Sequence, residues 1–150
     1  MYRVLIDTNC FVSLIDSSDK WNRNSLEILN ELKIYNVQII LTDIVLNETI
    51  NVLCKRLENK GRSNEIGHFL NLIDDYYSSE LIVWISEDIR KYHNQILDLI
   101  RNSNGLLNYN DSFLIAYMIE NDIRNIISFD LDFGSINQIN RISNNQFSLS

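Results

Sequence analysis

Proline is absent from the 150 residues and glycine occurs only four times, so the sequence contains no hinge or linker rich in these residues. Two cysteines, Cys10 and Cys54, show neither metal-site spacing nor a disulfide pattern. Both lie in apolar helical patterns, and we expect buried free thiols in a reducing compartment. No apolar run approaches the roughly 18 residues that span a bilayer, and the apolar start at residues 2–6 is too short for a signal-peptide core. We therefore expect a cytoplasmic protein that forms a single domain over residues 1–150.

A basic excess is also missing, since 13 Lys and Arg face 20 Asp and Glu for a net charge of −7. Proteins that bind nucleic acid through its phosphates are usually basic, so the net charge alone disfavours such a substrate. This objection weakens if the acids are clustered, because divalent cations held by such a cluster reverse the local field.

Short apolar segments rich in β-branched residues alternate with helical patterns along the chain. They predict buried parallel strands at residues 2–6, 37–41, 81–85 and 125–129, with a short edge strand around residues 138–143. Helices are predicted at residues 9–16, 22–34, 43–58, 63–78 and 87–102, and from residue 110 or 111 to about 121. Thr42 and Ser86 are the expected N-caps of two helices, Gly61 follows the end of one, and Asn104-Gly105 breaks the pattern.

This alternation predicts an α/β fold of three layers, with a central parallel sheet of four to five strands. Right-handed crossovers place the carboxyl ends of all parallel strands at one edge of the sheet. Ligands of open α/β sheets bind at that edge, where the strand order reverses.

Two aspartates follow predicted strands. Asp7 comes directly after the apolar residues 4–6, and Asp130 comes directly after the predicted strand at residues 125–129. Both are expected to project into the crevice at the sheet edge, and their carboxylates would repel one another unless a cation lies between them. The structural alternatives are a helix N-cap for Asp7 and a turn residue for Asp130, and a turn is the preferred interpretation of Asp132.

Two further acids lie on predicted helices. Glu48 shares a helix face with Ile44 and Val52, so its carboxylate lies on or beside an apolar stripe. The alternative is a flanking glutamate that extends into solvent. Asp111 begins a helix, where the helix dipole by itself explains a negative charge.

These four acids can converge on one crevice. Carboxylate oxygens without His or Cys are the ligands that hard Mg²⁺ or Mn²⁺ prefers. His68 and His93 have no evident partners, and neither a phosphate-binding glycine-rich loop nor a G-x-S-x-G motif is present.

Three segments resemble the PIN-domain family of metal-dependent ribonucleases: IDTN at residues 6–9, LTDIVLNE at residues 41–48, and ND at residues 110–111 followed by SFD at residues 128–130. The resemblance implies a parallel sheet with an acidic pocket at its carboxyl edge. It assigns metal-binding roles to Asp7, Glu48, Asp111 and Asp130 and supporting roles to Asn9 and Ser128. Small PIN domains are often VapC-type toxins, which would imply a homodimer and a protein antitoxin. No Lys or Arg cluster borders these motifs, so the sequence reveals no RNA-binding surface.

The preferred hypothesis is thus an endoribonuclease that uses Mg²⁺ or Mn²⁺. One alternative is a metal-dependent phosphatase or phosphotransferase with Asp7 as nucleophile, although Thr8 and Asn9 replace the D-x-D context of such enzymes. The other is a non-catalytic binding module that retains the acidic pocket.

Overall fold

The computed structural model describes residues 1–76 and 82–150, and a five-stranded sheet with every strand parallel forms its centre. The strands are β1 (Tyr2–Ile6), β2 (Val37–Thr42), β3 (Ile82–Val83), β4 (Asn125–Ile127) and β5 (Asn140–Ile142). The helices are α1 (Thr8–Ile15), α2 (Asn22–Leu32), α3 (Asp43–Asn59), α4 (Ile66–Tyr76), α5 (Ile89–Asn102) and α6 (Tyr109–Glu120).

The strand order is β3-β2-β1-β4-β5, and β1 lies at its centre because Val4, Leu5 and Ile6 are fully buried. Helices α1 to α4 pack on one another, and α5 packs on α6. From β1 to β3 the chain moves towards one edge of the sheet, and from β3 to β4 it returns across β1. Because right-handed crossovers in opposite directions lie on opposite faces, the two groups of helices cover the two faces of the sheet. The predicted α/β fold is confirmed. The order reverses on either side of β1, and this is the place where open α/β sheets bind ligands.

Two strands are shorter than predicted because side chains capture the backbone that follows them. Beyond β4, the Phe129 N–H donates to Asn9 Oδ1 (3.1 Å) and the Asp130 N–H donates to Ser128 Oγ (3.0 Å). Beyond β3, the Ile85 N–H donates to Asp43 Oδ1 (2.9 Å). Leu81, the first residue of the predicted third strand, lies outside the described residues. The predicted edge strand near residues 138–143 is present as β5.

Most helix boundaries lie within one residue of the predictions, but α2 ends two residues early and the starts of α4 and α5 differ more clearly. Ser86 does not cap α5, because its hydroxyl donates to the Asp43 carboxylate and the 3₁₀ turn Ser86–Asp88 precedes the helix. The predicted helix over residues 63–78 consists of the 3₁₀ turn Ser63–Glu65 followed by α4, and residues 77 and 78 lie outside the described range. Asn104 and Gly105 both have positive φ, which confirms the break between α5 and α6.

The two thiols differ in exposure. Cys10 is fully buried, and burial raises its pKa to about 12. Cys54 is exposed, so its predicted burial was wrong. The buried face of α3 runs through Val45, Thr49, Leu53 and Leu57, and Cys54 lies one residue off that row. Among the described residues, no helix combines the length and the apolar character needed to cross a membrane.

Helix α6 begins one residue earlier than the earlier of the two predicted starts, at Tyr109, because Asn108 caps it. Asn108 Oδ1 accepts the Asp111 N–H (2.9 Å), and Asp111 Oδ2 accepts the Asn108 N–H (3.3 Å). This reciprocal capping box satisfies two helix-end donors and fixes the Asp111 carboxylate at the start of the helix.

We expect Asn108→Ala to lower the free energy of unfolding by about 1 kcal/mol, because the Asp111 N–H loses its acceptor. Urea unfolding followed by circular dichroism measures this loss. The matched control is Asn94→Ala at an exposed position of α5, where alanine is the better helix former and no loss of stability is expected. Equal stability of Asn108→Ala and the wild type would contradict the prediction.

Candidate active site

Asp7 lies at the end of the central strand and caps α1. Its Oδ1 accepts the Thr8 N–H (2.7 Å) and its Oδ2 accepts the Ser128 hydroxyl (2.6 Å), with only 5 % of the residue exposed. Burial raises the pKa of Asp7 to about 7, the two hydrogen bonds oppose this rise, and the charges of Asp111 and Glu48 add to it. Asp7 therefore has both roles considered from the sequence, a helix cap and a carboxylate facing other acids.

Ser128 follows β4 and lies beside Asp7 because β1 and β4 are neighbours in register. Asn9 links the two loops, since its amide donates to Ser128 Oγ (3.3 Å) and its Oδ1 accepts the Phe129 N–H. The serine, not Asp130, thus occupies the place next to Asp7. Both predicted supporting residues make hydrogen bonds at the crevice.

Glu48 reaches the crevice from α3. Its Oε2 accepts the Thr8 hydroxyl (3.2 Å) and the Asn110 amide (3.4 Å), so one carboxylate contacts residues of α1 and α6. The side chain is partly buried and does not extend freely into solvent. Thr8 is next to Asp7 and Asn110 is next to Asp111, so Glu48 lies close to both aspartates.

Asp111 approaches from the first turn of α6. Burial raises its pKa to about 6, the Asn108 N–H opposes this, and the charges of Glu48, Asp130 and Asp132 contribute further. Its carboxylate therefore has a structural role in the capping box and also lies within the field of three other acids.

Asp130 lies three residues beyond the end of β4. Its Oδ1 accepts the Asp132 N–H (2.9 Å), so Asp130 itself forms the turn that was considered for it. Asp132 begins the 3₁₀ turn Asp132–Ser135. The charges of both carboxylates add to the rise in the pKa of Asp111, after the larger effects of burial and of Glu48.

Asp111 thus lies within electrostatic range of Asp7, Glu48, Asp130 and Asp132. Hydrogen bonds from other elements hold Asp7 and Glu48. None of the ion pairs among the described residues involves Asp7, Glu48, Asp111, Asp130 or Asp132. Within the same part of the chain, no group of three or more His, Cys, Asp and Glu side chains is already arranged around one metal position. An uncompensated set of carboxylate oxygens still fits Mg²⁺ or Mn²⁺ by donor chemistry.

Several residues at the crevice were not predicted from the sequence. Thr8 and Asn110 bind Glu48, and both stand inside the motifs that carried the resemblance. Arg141 donates from Nη1 to the Ser128 carbonyl (3.1 Å), which brings a guanidinium close to the crevice. Arg141 lies on the edge strand β5, whose sequence pattern is weak, so nothing in the sequence indicates that it approaches the site.

Comparison with protein families identifies the class. A model of the PIN domain matches residues 4–138, so this chain belongs to the PIN domain family and the resemblance in the sequence is confirmed. A search of curated proteins finds no match.

Solved structures share the fold at low sequence identity. The VapC20 toxin of Mycobacterium tuberculosis, described as cleaving the sarcin-ricin loop, has a TM-score of 0.66 and 16 % identity, over 88 % of this chain and 93 % of that one. VapBC2 of Rickettsia felis, bound to a promoter DNA fragment, has a TM-score of 0.63 and 16 % identity, over 93 % and 97 %. A toxin–antitoxin complex of Klebsiella pneumoniae has a TM-score of 0.57 and 17 % identity, over 93 % and 96 %.

Proposed function

We propose that this protein is an endoribonuclease that hydrolyses RNA phosphodiester bonds with Mg²⁺ or Mn²⁺ held by Asp7, Glu48, Asp111 and Asp130. The observation that carries the proposal is the contact of Glu48 with Thr8 and Asn110, the residues next to Asp7 and Asp111 in the sequence. It brings three of the acids to one part of the sheet edge, and none of the four acids forms an ion pair among the described residues. Membership of the PIN domain family supports the same chemistry.

The residues of the proposed site have different roles. Asp7 is central because it is the most buried of the four acids and has carboxylate neighbours on α3 and α6. Ser128 holds Asp7 in place, and Thr8 and Asn110 hold Glu48. A divalent ion bound by these acids would neutralise phosphate charge and promote the in-line attack of water on phosphorus.

The phosphotransferase alternative requires Asp7 to attack phosphorus with one carboxylate oxygen. In this structure both oxygens of Asp7 accept hydrogen bonds and the residue is buried. Each oxygen keeps one lone pair, which can coordinate a cation while the hydrogen bond stays in place. After attack on phosphorus the same oxygen would become an ester oxygen, which is a weaker acceptor, and its hydrogen bond would weaken. This arrangement favours a ligand role, and recovery of a phospho-enzyme at Asp7 would reverse the choice.

We further propose that the protein acts in the cytoplasm as the toxin of a toxin–antitoxin pair, as a homodimer with a small protein antitoxin. Support comes from the fold it shares with two toxin–antitoxin structures and with a toxin described as cleaving the sarcin-ricin loop. Co-expression with the product of a short adjacent reading frame tests this role. Capture of that product and relief of growth arrest are expected, and growth unaffected by the protein alone would contradict the toxin role.

The nuclease proposal is tested by incubating the purified protein with single-stranded and structured RNA, with Mn²⁺ and with chelator. Cleavage that the chelator stops is expected. Because water is the attacking group, a strand with one 2′-deoxy sugar at the cleavage site should still be cut. Cleavage that survives the chelator and requires the 2′-hydroxyl would contradict the proposal.

A further inference from the structure

An aromatic stack lies beside the acidic crevice. Trp21 and Phe129 pack face to face, with ring centroids 4.5 Å apart and planes inclined by 7°. The ammonium of Lys20 lies 5.2 Å from the centroid of the Trp21 ring. We propose that these three residues form a platform on which one base of single-stranded RNA stacks during cleavage, an inference that rests on the proposed function.

The platform is attached directly to the acids. Phe129 stands between Ser128, which binds Asp7, and Asp130. Its N–H donates to Asn9, which in turn binds Ser128. A base stacked here therefore belongs to a nucleotide whose phosphate lies at or next to the crevice.

The rings are held in place before any ligand arrives. Phe129 packs against the hydrophobic core. The backbone N–H of Trp21 donates to Asp19 Oδ1 (2.8 Å), and Asp19 Oδ2 accepts from Arg56 near the end of α3 (2.7 Å), so the backbone that carries the indole ring is anchored. A platform ordered in advance loses little conformational entropy when a base binds.

A base can take the place of the Lys20 ammonium on the Trp21 ring. Trp21 and Phe129 are only partly buried, whereas Lys20 is exposed on a flexible side chain. A base can displace the ammonium from the Trp21 ring, and the freed charge can then pair with a phosphate. Aromatic side chains bind bases in this way without needing a particular sequence.

This platform also addresses the net charge of −7, which leaves the protein little general attraction for RNA. Stacking does not depend on a basic surface, and removal of one stacking residue typically lowers affinity by about fivefold to 150-fold. Stacking on the platform therefore supplies affinity for RNA that the negatively charged protein does not gain from electrostatic attraction.

The test compares three proteins on an oligoribonucleotide and on copies with single abasic positions. Trp21→Leu keeps apolar bulk but not stacking, and we expect its KM to rise about tenfold or more with kcat little changed. Trp21→Phe keeps an aromatic ring and should restore the KM. One abasic position should raise the KM of the wild type and have no further effect on Trp21→Leu, because base and ring act as a pair.

Fluorescence separates binding from cleavage. Trp21 and Trp84 are the two tryptophans, so Trp84→Phe leaves Trp21 as the only reporter. With Asp7→Asn added to prevent cleavage, RNA should quench Trp21, and the matched Trp21→Phe protein, which reports from Trp84, should change little. Chelator-sensitive cleavage with unchanged kinetics for Trp21→Leu and no quenching would overturn the platform alone. Absence of both cleavage and RNA binding would overturn the proposed function as well.

Discussion

Asp7→Asn is expected to reduce RNA cleavage by about 10³-fold or more while leaving the fold intact. Loss of residues that merely orient metal ligands costs about 10–100-fold, and Asp7 is proposed as a ligand itself. The amide oxygen can still accept the Thr8 N–H, whereas the Ser128 hydroxyl, which already accepts from Asn9 and Asp130, loses its acceptor. The loss of one hydrogen bond typically costs about 1 kcal/mol, which leaves the fold intact. Circular dichroism and a single-turnover cleavage assay at saturating Mn²⁺ measure the two parts of this expectation.

The matched control is Asp122→Asn, which removes the same charge from an exposed turn between α6 and β4. Asp122 has φ of 51°, a backbone conformation that asparagine tolerates. The control should cleave at the wild-type rate. Full activity of Asp7→Asn would remove Asp7 from the mechanism.

The second large effect concerns the stability of the metal-free protein, which should fall as pH rises from about 4 to above 7. The folded state holds a proton on Asp7 up to a pKa of about 7, whereas the unfolded chain releases it near the ordinary value of 3.8. The folded state thus binds more protons across this window, so the free energy of unfolding decreases with increasing pH. The shift corresponds to about 4 kcal/mol for Asp7, and Asp111 acts in the same direction.

Urea unfolding in chelator at several pH values measures this slope for the wild type and for Asp7→Asn. The variant carries no charge at this position, so its profile should be flatter and its stability at pH 8 higher. Mn²⁺ should restore stability to the wild type at pH 8, because a cation removes the repulsion among the acids. Parallel profiles for the two proteins would show that Asp7 does not titrate as its environment implies.

Strand-end and helix-start residues could be predicted from the sequence because local patterns determine them. The apolar run before Asp7 and the helix that starts near Asp111 both depend on neighbours in sequence, and both are where they were expected. The place of Ser128 beside Asp7 depends instead on the register between β1 and β4. No local pattern encodes that register, so the sequence suggested an aspartate pair where the structure has an aspartate and a serine.

Contacts between residues far apart in the sequence could not be predicted either. Asp43 lies within one of the family motifs, and its carboxylate accepts hydrogen bonds from the Ile85 backbone and the Ser86 hydroxyl, which keeps Ser86 from capping α5. Trp21 lies in a polar connection that no periodicity marks, and only the fold brings it onto Phe129. Side chains that join two loops remain unpredictable until the sheet order is known.

The most direct test is an anomalous difference map from a crystal soaked in Mn²⁺. We predict a peak at the carboxyl edge of the sheet, within bonding distance of an Asp7 oxygen and shared with at least one of Glu48, Asp111 and Asp130. Crystals of Asp7→Asn should lack it. A fully occupied Mn²⁺ site elsewhere, with no peak at Asp7, would contradict the proposed metal centre.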